Sequence, residues 1–408
     1  MKKTLYITGT ILFILVMAFA YYYFFFAKPA TQNGTSSGGS SLFSNLFPFG
    51  NSATIPANTT ATTTLDQTQN SVANSDYLEK LRLITNGPVA GAAFVQSLRG
   101  TDILYMQKAD GHIYDVSTYS ASSTQISNTT IPRIHTAFFV NGGAGVVAQY
   151  VGSDGDTIQT FYMNVASTTN ATILPSGMDS LVVSPDTKNI FYITKTFDGS
   201  TGVIAAPNGS GKKQIWSSAI GSVLPQYINN NDVLITTKPT SEAAGYSYMV
   251  NTKTGAVGSV VGDYADLSVL SDPTGQNFLS YSGGNNNANN AQMFIQTANA
   301  ATETLLTPTT FPEKCVFDTT TPTILYCAVP TSLLNSSSLD NWYMGLVSYS
   351  DDIWKYDLKA HTQTMLENLA NDAGRNIDAT NLQLNSAGSL LLFTSKTDGS
   401  LWSLNVTS

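Results

Sequence analysis

From about residue 88 to its end, the chain repeats one arrangement of apolar and polar positions. An apolar strand leads through a tight turn into a second apolar strand. A Gly/Asp turn follows, then a third strand ending near Asn or Asp, and a short polar fourth. The second strands set the period. They begin at Asp102, Gly145, Asn189, Asp232, Asn277, Thr323 and Ser389, so successive starts lie 43, 44, 43, 45, 46 and 66 residues apart. A period of about 40 to 45 residues with four strands per unit is the signature of propeller blades. Seven units are therefore expected, and the long last interval predicts an insertion in the sixth, at about residues 329–352. The third strands give the same count: those ending at Asp115, Asn164, Asn251, Asp357 and Asn405 place Asp or Asn where a turn begins. Asx side chains cap such turns themselves.

The last unit stops after its third strand, leaving the seventh sheet without an outer edge. Leu81-Arg82-Leu83-Ile84-Thr85, followed by Pro88, has the texture of an outer strand leading into the next blade, as Thr124-Gln125-Ile126-Ser127 does before Pro132. Residues of about 79 to 85 are expected to pair with the last blade and close the ring, removing an exposed edge.

Upstream the pattern changes twice. Thr4 to Phe26 is an uncharged run of 23 residues behind Met1-Lys2-Lys3, with Tyr21-Tyr22-Tyr23 near its outer end. It is long enough to cross a bilayer core of about 30 Å as a helix, and the lysine pair sets the N-terminus in the cytoplasm. This predicts a transmembrane anchor over residues 1–28, a single pass through the cell membrane, with the rest of the chain outside the cytoplasm. Cleavage after Ala18-Phe19-Ala20, as in a signal peptide, is the competing reading, although the apolar run continues past it. Residues 29–76 are rich in Ser, Thr, Asn, Gly and Ala, a composition that buries too little apolar surface to fold, and read as a disordered stalk. One apolar island interrupts it at Leu42-Phe43-Ser44-Asn45-Leu46-Phe47-Pro48-Phe49, either a docking motif or a segment packing on the membrane interface or the wheel. The expected fold is thus all-β: a seven-bladed β-propeller over residues 77–408, behind the anchor and stalk.

Composition agrees with this plan and narrows the partners. Only 11% of the 408 residues are charged, against about 25% in ordinary soluble domains. The net charge of −8, with no Lys/Arg stripe, argues against nucleic acid and against an anionic membrane surface as partners.

The repeat resembles TolB-type and WD40-like propellers. Ser184-Pro185-Asp186-Thr187-Lys188-Asn189-Ile190-Phe191-Tyr192 is similar to that family's turn from first to second strand, with Thr187 where Gly is usual. Asn208-Gly209-Ser210-Gly211 is similar to its turn from third to fourth strand. The likeness spans about residues 79 to 408, and only the third blade matches closely. Cys315 through Asp357 resembles a segment of uncharacterised membrane-anchored bacterial propellers. The resemblance implies fold and topology and no activity.

Candidate chemistry is sparse. Cys315 and Cys327 fall on the first two strands of the sixth blade. With the turn centred near Thr321 they lie opposite one another, where a Cα separation of about 4.5 to 5.5 Å admits a disulfide, as suits an exported domain. Two free thiols are the alternative, and no metal site is expected, since two thiols without a nearby His do not complete a zinc shell. His112, His135 and His361 sit in three different blades and form no catalytic grouping in sequence. Gly209-Ser210-Gly211-Lys212-Lys213 lacks the leading Gly of a phosphate loop. Asp154-Gly155-Asp156 reads as a hairpin turn. No catalytic residue, metal or cofactor is predicted.

The insertion carries Asn341-Trp342-Tyr343 and the pair Asp351-Asp352. Its loop lies on the face of the inter-blade links, where propellers usually bind ligands. An exposed aromatic beside acids would make a binding hot spot. Alternatively, Trp342 and Tyr343 plug the central channel or cover the disulfide blade. Adjacent strand residues point to opposite faces, so Asp351 and Asp352 are poorly placed for joint acid–base work. The sequence favours a non-catalytic binding or scaffolding module that holds a protein or polymer partner on the insertion face. The alternatives are an extracellular hydrolase of glycans or peptides with its site in the channel, and a structural part of a surface appendage or export machine.

Overall fold

The computed structural model describes residues 79–98, 100–284, 291–298 and 302–407. The expected anchor, stalk and apolar island lie outside them. Among the described residues, no helix is long and apolar enough to cross a membrane.

The repeat folds as seven four-stranded antiparallel sheets in a ring, a seven-bladed β-propeller. Each second strand has the period-two alternation that buries one set of side chains on each face of the sheet. These strands are Gly100–Gln107, Gly145–Val151, Ile190–Thr196, Asp232–Thr237, Asn277–Ser282, Ile324–Pro330 and Leu390–Ser395, within two residues of the positions the period predicts. Both faces of every sheet meet a neighbouring sheet, so the core is divided among the blade junctions. One apolar cluster fills each of the seven junctions, for example Leu104, Ile113, Ile134 and Val146 between blades one and two. The junction of blades seven and one is filled by Leu392, Leu401, Ile103 and Val116. Inner strands approach closely: a Cβ on Gly91 of blade one would come within 1.9 Å of the Ala137 carbonyl of blade two.

Blade seven closes as the sequence predicts. Leu81–Thr85 pairs antiparallel with Leu401–Asn405, opposing Leu81 to Leu404 and Leu83 to Trp402, and the sheet order places this strand outermost. The N-terminal side of the domain is thereby tied to its last strand, and no third-strand edge is left open.

Two sequence details have structural reasons. Thr187, where the resembled family has Gly, adopts φ 59. It is held there because its Oγ accepts a hydrogen bond from the Gly142 N–H (2.7 Å) and its carbonyl accepts one from Asn141 (2.9 Å), which join blade three to the first turn of blade two. In blade six, Cys315 of Cys315–Phe317 directly opposes Cys327 of Ile324–Pro330. The two form the expected disulfide, with Cα atoms 4.1 Å apart.

With this strand order, hairpins between second and third strands share one face of the wheel with the links between blades. The insertion, residues 331–350, lies on that face. The start of Leu81–Thr85 lies on the opposite one, where the Lys80 carbonyl accepts from Asn405 N–H (2.8 Å).

Candidate functional site

The insertion is not a free loop. It contains one short helix, α1 (Ser338–Tyr343), and its contacts span four blades. Asp340 of α1 accepts hydrogen bonds from the Ser241 N–H (2.9 Å) and Oγ (2.8 Å) of blade four. The Asn335 carbonyl accepts from the Tyr281 hydroxyl of blade five (3.3 Å). Ser336 lies so close to Gly283 that a Cβ there would sit 2.7 Å from its carbonyl oxygen. The Tyr343 hydroxyl donates to Glu313 at the head of blade six (2.6 Å). The Trp342 indole Nε1 donates to both carboxylate oxygens of Asp378 at the head of blade seven (3.1 and 3.0 Å).

Beneath Trp342 lies a buried ion cluster. Lys314 is fully buried and donates to Asp351 (2.6 Å) and to Asp378. Asp351 Oδ2 also accepts from the Ala379 N–H (2.7 Å). Asp378 further accepts from the Ser348 hydroxyl (3.0 Å) and the Tyr349 N–H (3.1 Å). The Lys314 ammonium stands 5.3 Å from the Trp342 ring centre and that of Lys396 4.0 Å from it, so the indole lies against two cations. Burial pushes Asp351 up to about 6 even though Lys314 pulls it down. Phe311 packs on Tyr281, Trp342 and Tyr349, with ring centres 5.1, 5.6 and 5.9 Å away.

A second group of acids lies under α1 towards blades four and five. Asp266 is 0% exposed, and among the described residues neither of its carboxylate oxygens has a hydrogen-bond donor. Its carboxyl is pushed up to about 7, first by burial, then by the charges of Asp340 and Glu313. Glu313 Oε1 accepts from Ser268 Oγ (2.5 Å) and from Tyr343, while Oε2 has no donor. Burial raises its pKa against those hydrogen bonds. Glu313 and Tyr343 wall a cavity of about 140 Å³ with Pro225 and Gln226. The same Pro225 and Gln226 also line the central cavity of about 630 Å³, whose walls include Phe94, Phe138, Asn381 and Gln383 and, among the described residues, no charged side chain.

Of the residues singled out from sequence, Trp342 and Asp351 are inside this assembly. Trp342 is 5% exposed, so of the two readings offered for it the exposed hot spot does not form and the indole packs on the wheel. Its indole is drawn inward by Asp378 and the two lysines. Tyr343 is half-buried on Glu313, and Asn341 half-exposed on α1. Asp351 and Asp352 point to opposite faces of Asp351–Asp357, as expected, with Asp351 buried and Asp352 half-exposed. The outward surface of the insertion instead carries Leu333 (98% exposed), Met344 (63%) and Leu346 (69%).

The sequence reading missed Asp266, Glu313, Lys314, Asp378 and Lys396. A signal existed for three of them: Lys314 and Asp378 immediately precede inner strands, and Asp266 lies two residues before one, at equivalent places of the repeat. Among the described residues, no group of three His, Cys, Asp or Glu side chains could hold a metal ion. His112, His135 and His361 stay in separate blades. His112 lies 3.3 Å from Asp110 in its own turn.

No protein-family model matches the sequence, and no curated protein matches it. Solved structures share the fold. An oligogalacturonate lyase from Vibrio parahaemolyticus superposes with a TM-score of 0.54 at 11% identity, over 80% of this chain and 93% of that one. A GH74 xyloglucanase from Xanthomonas campestris gives 0.51 at 12%, over 80% and 53%. TolB from Acinetobacter baumannii is also among the matches, at 0.40 and 11%, over 73% and 60%. At these identities the likeness is one of fold alone, a propeller of the kind the sequence resembles.

Proposed function

We propose that the protein is a non-catalytic binding module, anchored in the cell membrane by Thr4 to Phe26, that holds a protein partner on the insertion face of its propeller outside the cytoplasm. One observation carries this reading. The insertion is held from below by the Lys314–Asp351–Asp378 cluster while Leu333, Met344 and Leu346 are turned outward. Apolar side chains presented by a backbone that is tied down in the closed insertion lose less freedom on binding than those of a free loop, which suits an interface hot spot. The buried Trp342 and Asp351 then position the surface, and Asn341, Tyr343 and Asp352 remain candidates at its margin.

Two further features support it. Residue 79, where the described chain begins, lies on the face opposite the insertion. The central cavity has uncharged walls, better suited to binding than to the acid–base work of a glycan or peptide hydrolase.

The test is cross-linking of the full chain in its native membrane, comparing wild type with a Leu333→Ser, Met344→Ser, Leu346→Ser variant. A specific cross-linked partner is expected in wild type and its loss in the variant. An undiminished cross-link in a folded variant would overturn the assignment of this surface.

A further inference from the structure

Three carboxyl groups from three separate elements meet under α1: Asp266 from the link into blade five, Glu313 from the link into blade six, and Asp340 from α1 itself. Their surroundings hold little to neutralise them. Lys314, next to Glu313, is taken up by Asp351 and Asp378. Lys396 lies over Trp342 on the blade-seven side. The other titratable groups facing Asp266 are the hydroxyls of Tyr281 and Tyr343, which hydrogen-bond to the Asn335 carbonyl and to Glu313. Asp266 is buried, with both oxygens lacking a donor among the described residues. A buried carboxylate in that state is costly, and the protonated acid is the form the closed interface accepts.

We propose that the insertion is a proton-operated latch, closed over blades four to six while Asp266 carries its proton and released when that proton is lost. Ionised Asp266 faces the Asp340 and Glu313 carboxyls with no cation in contact with it among the described residues, and the repulsion is relieved by lifting α1 into water. Tyr343 leaves with the helix. It walls the cavity of about 140 Å³ that shares Pro225 and Gln226 with the central cavity, so release opens the central cavity on this side. The latch adds regulation to the binding surface assigned above and rests on that reading only for its use.

The direction with pH follows from proton binding. Between the ordinary carboxyl value of 3.8 and the closed-state value of about 7, the closed form holds a proton that the open form does not. The closed population therefore falls as pH rises through this window and levels off above it.

Hydrogen exchange of the full chain without partner tests this, with rates expressed as protection factors to remove the intrinsic pH dependence. Protection of residues 331–350 should fall about tenfold or more between pH 5.5 and 7.5 in wild type. In Asp266→Asn, whose amide cannot ionise and which tolerates the φ of 58 at this position, protection should be flat over the same range. The blade-two strand Gly145–Val151 serves as the internal reference. Flat protection in wild type, an unchanged fall in Asp266→Asn, or an equal fall in the reference strand would each overturn the latch. Because no partner is present, its failure is separable from failure of the binding surface.

Discussion

Replacing Lys314 with Met removes the only cation that touches both Asp351 and Asp378 among the described residues, while keeping the stem's volume and apolar contacts. Two carboxylates are left together in a place where Lys314, Asp351 and Asp378 are all 0% exposed. Breaking a buried ion pair from one side costs about 3–5 kcal/mol. An independent ceiling comes from the escape route, in which one carboxyl takes up a proton rather than stay charged. At about 1.4 kcal/mol per pKa unit, doing so from the ordinary value of 3.8 costs about 4 kcal/mol at pH 7 and about 2 kcal/mol at pH 5. The two routes agree near neutrality and separate in acid. Urea unfolding of Lys314→Met beside wild type should thus show a loss of about 3–4 kcal/mol at pH 7, shrinking to about 2 kcal/mol or less at pH 5. Adding Asp351→Asn should recover part of the loss at pH 7, because only one buried carboxylate remains. A loss below about 1 kcal/mol at pH 7, or one that does not shrink at pH 5, would show that the cluster is wetter than its geometry implies.

Cys315→Ser with Cys327→Ser reopens a short loop, sequence separation 12. The chain-entropy relation predicts a stability loss of about 3 kcal/mol, read from denaturant midpoints with and without reductant; wild type insensitive to reductant would contradict it. At Thr187 two effects oppose. Thr187→Gly relieves about 1–2 kcal/mol of left-handed strain and loses a hydrogen bond worth about 1 kcal/mol, so it should be close to neutral in thermal unfolding. Thr187→Val keeps the strain, loses the bond and should cost about 1–2 kcal/mol. A Gly variant less stable than the Val variant would show that the strain argument fails.

How far the sequence could be read depended on the range of the interaction concerned. The apolar run Ile190-Phe191-Tyr192-Ile193 within one strand and the Asx turns at Asp357 and Asn405 are local, so blade positions were readable to within two residues. The closing strand was readable because Leu81-Arg82-Leu83 has an outer-strand texture and one outer edge was missing. The disulfide followed from a hairpin register of a dozen residues. The insertion was readable only as an interruption: its path has no repeat to compare with, so Asn341-Trp342-Tyr343 left open whether the indole is exposed or packs on the wheel, and gave no sign of its partners Asp378, Lys314 and Lys396.

The sequence alone therefore determined the kind of unit, the number of units, the seam and the bridge within blade six, because each rests on short-range periodicity or on a count. Only the tertiary structure decided the site. Lys314 meets Asp351 and Asp378 across separations of 37 and 64 residues, and Ser241 meets Asp340 across 99. Closing the ring brings the links of successive blades side by side on one face, and a neighbouring charge there becomes a partner or a burden according to where the insertion lies above it.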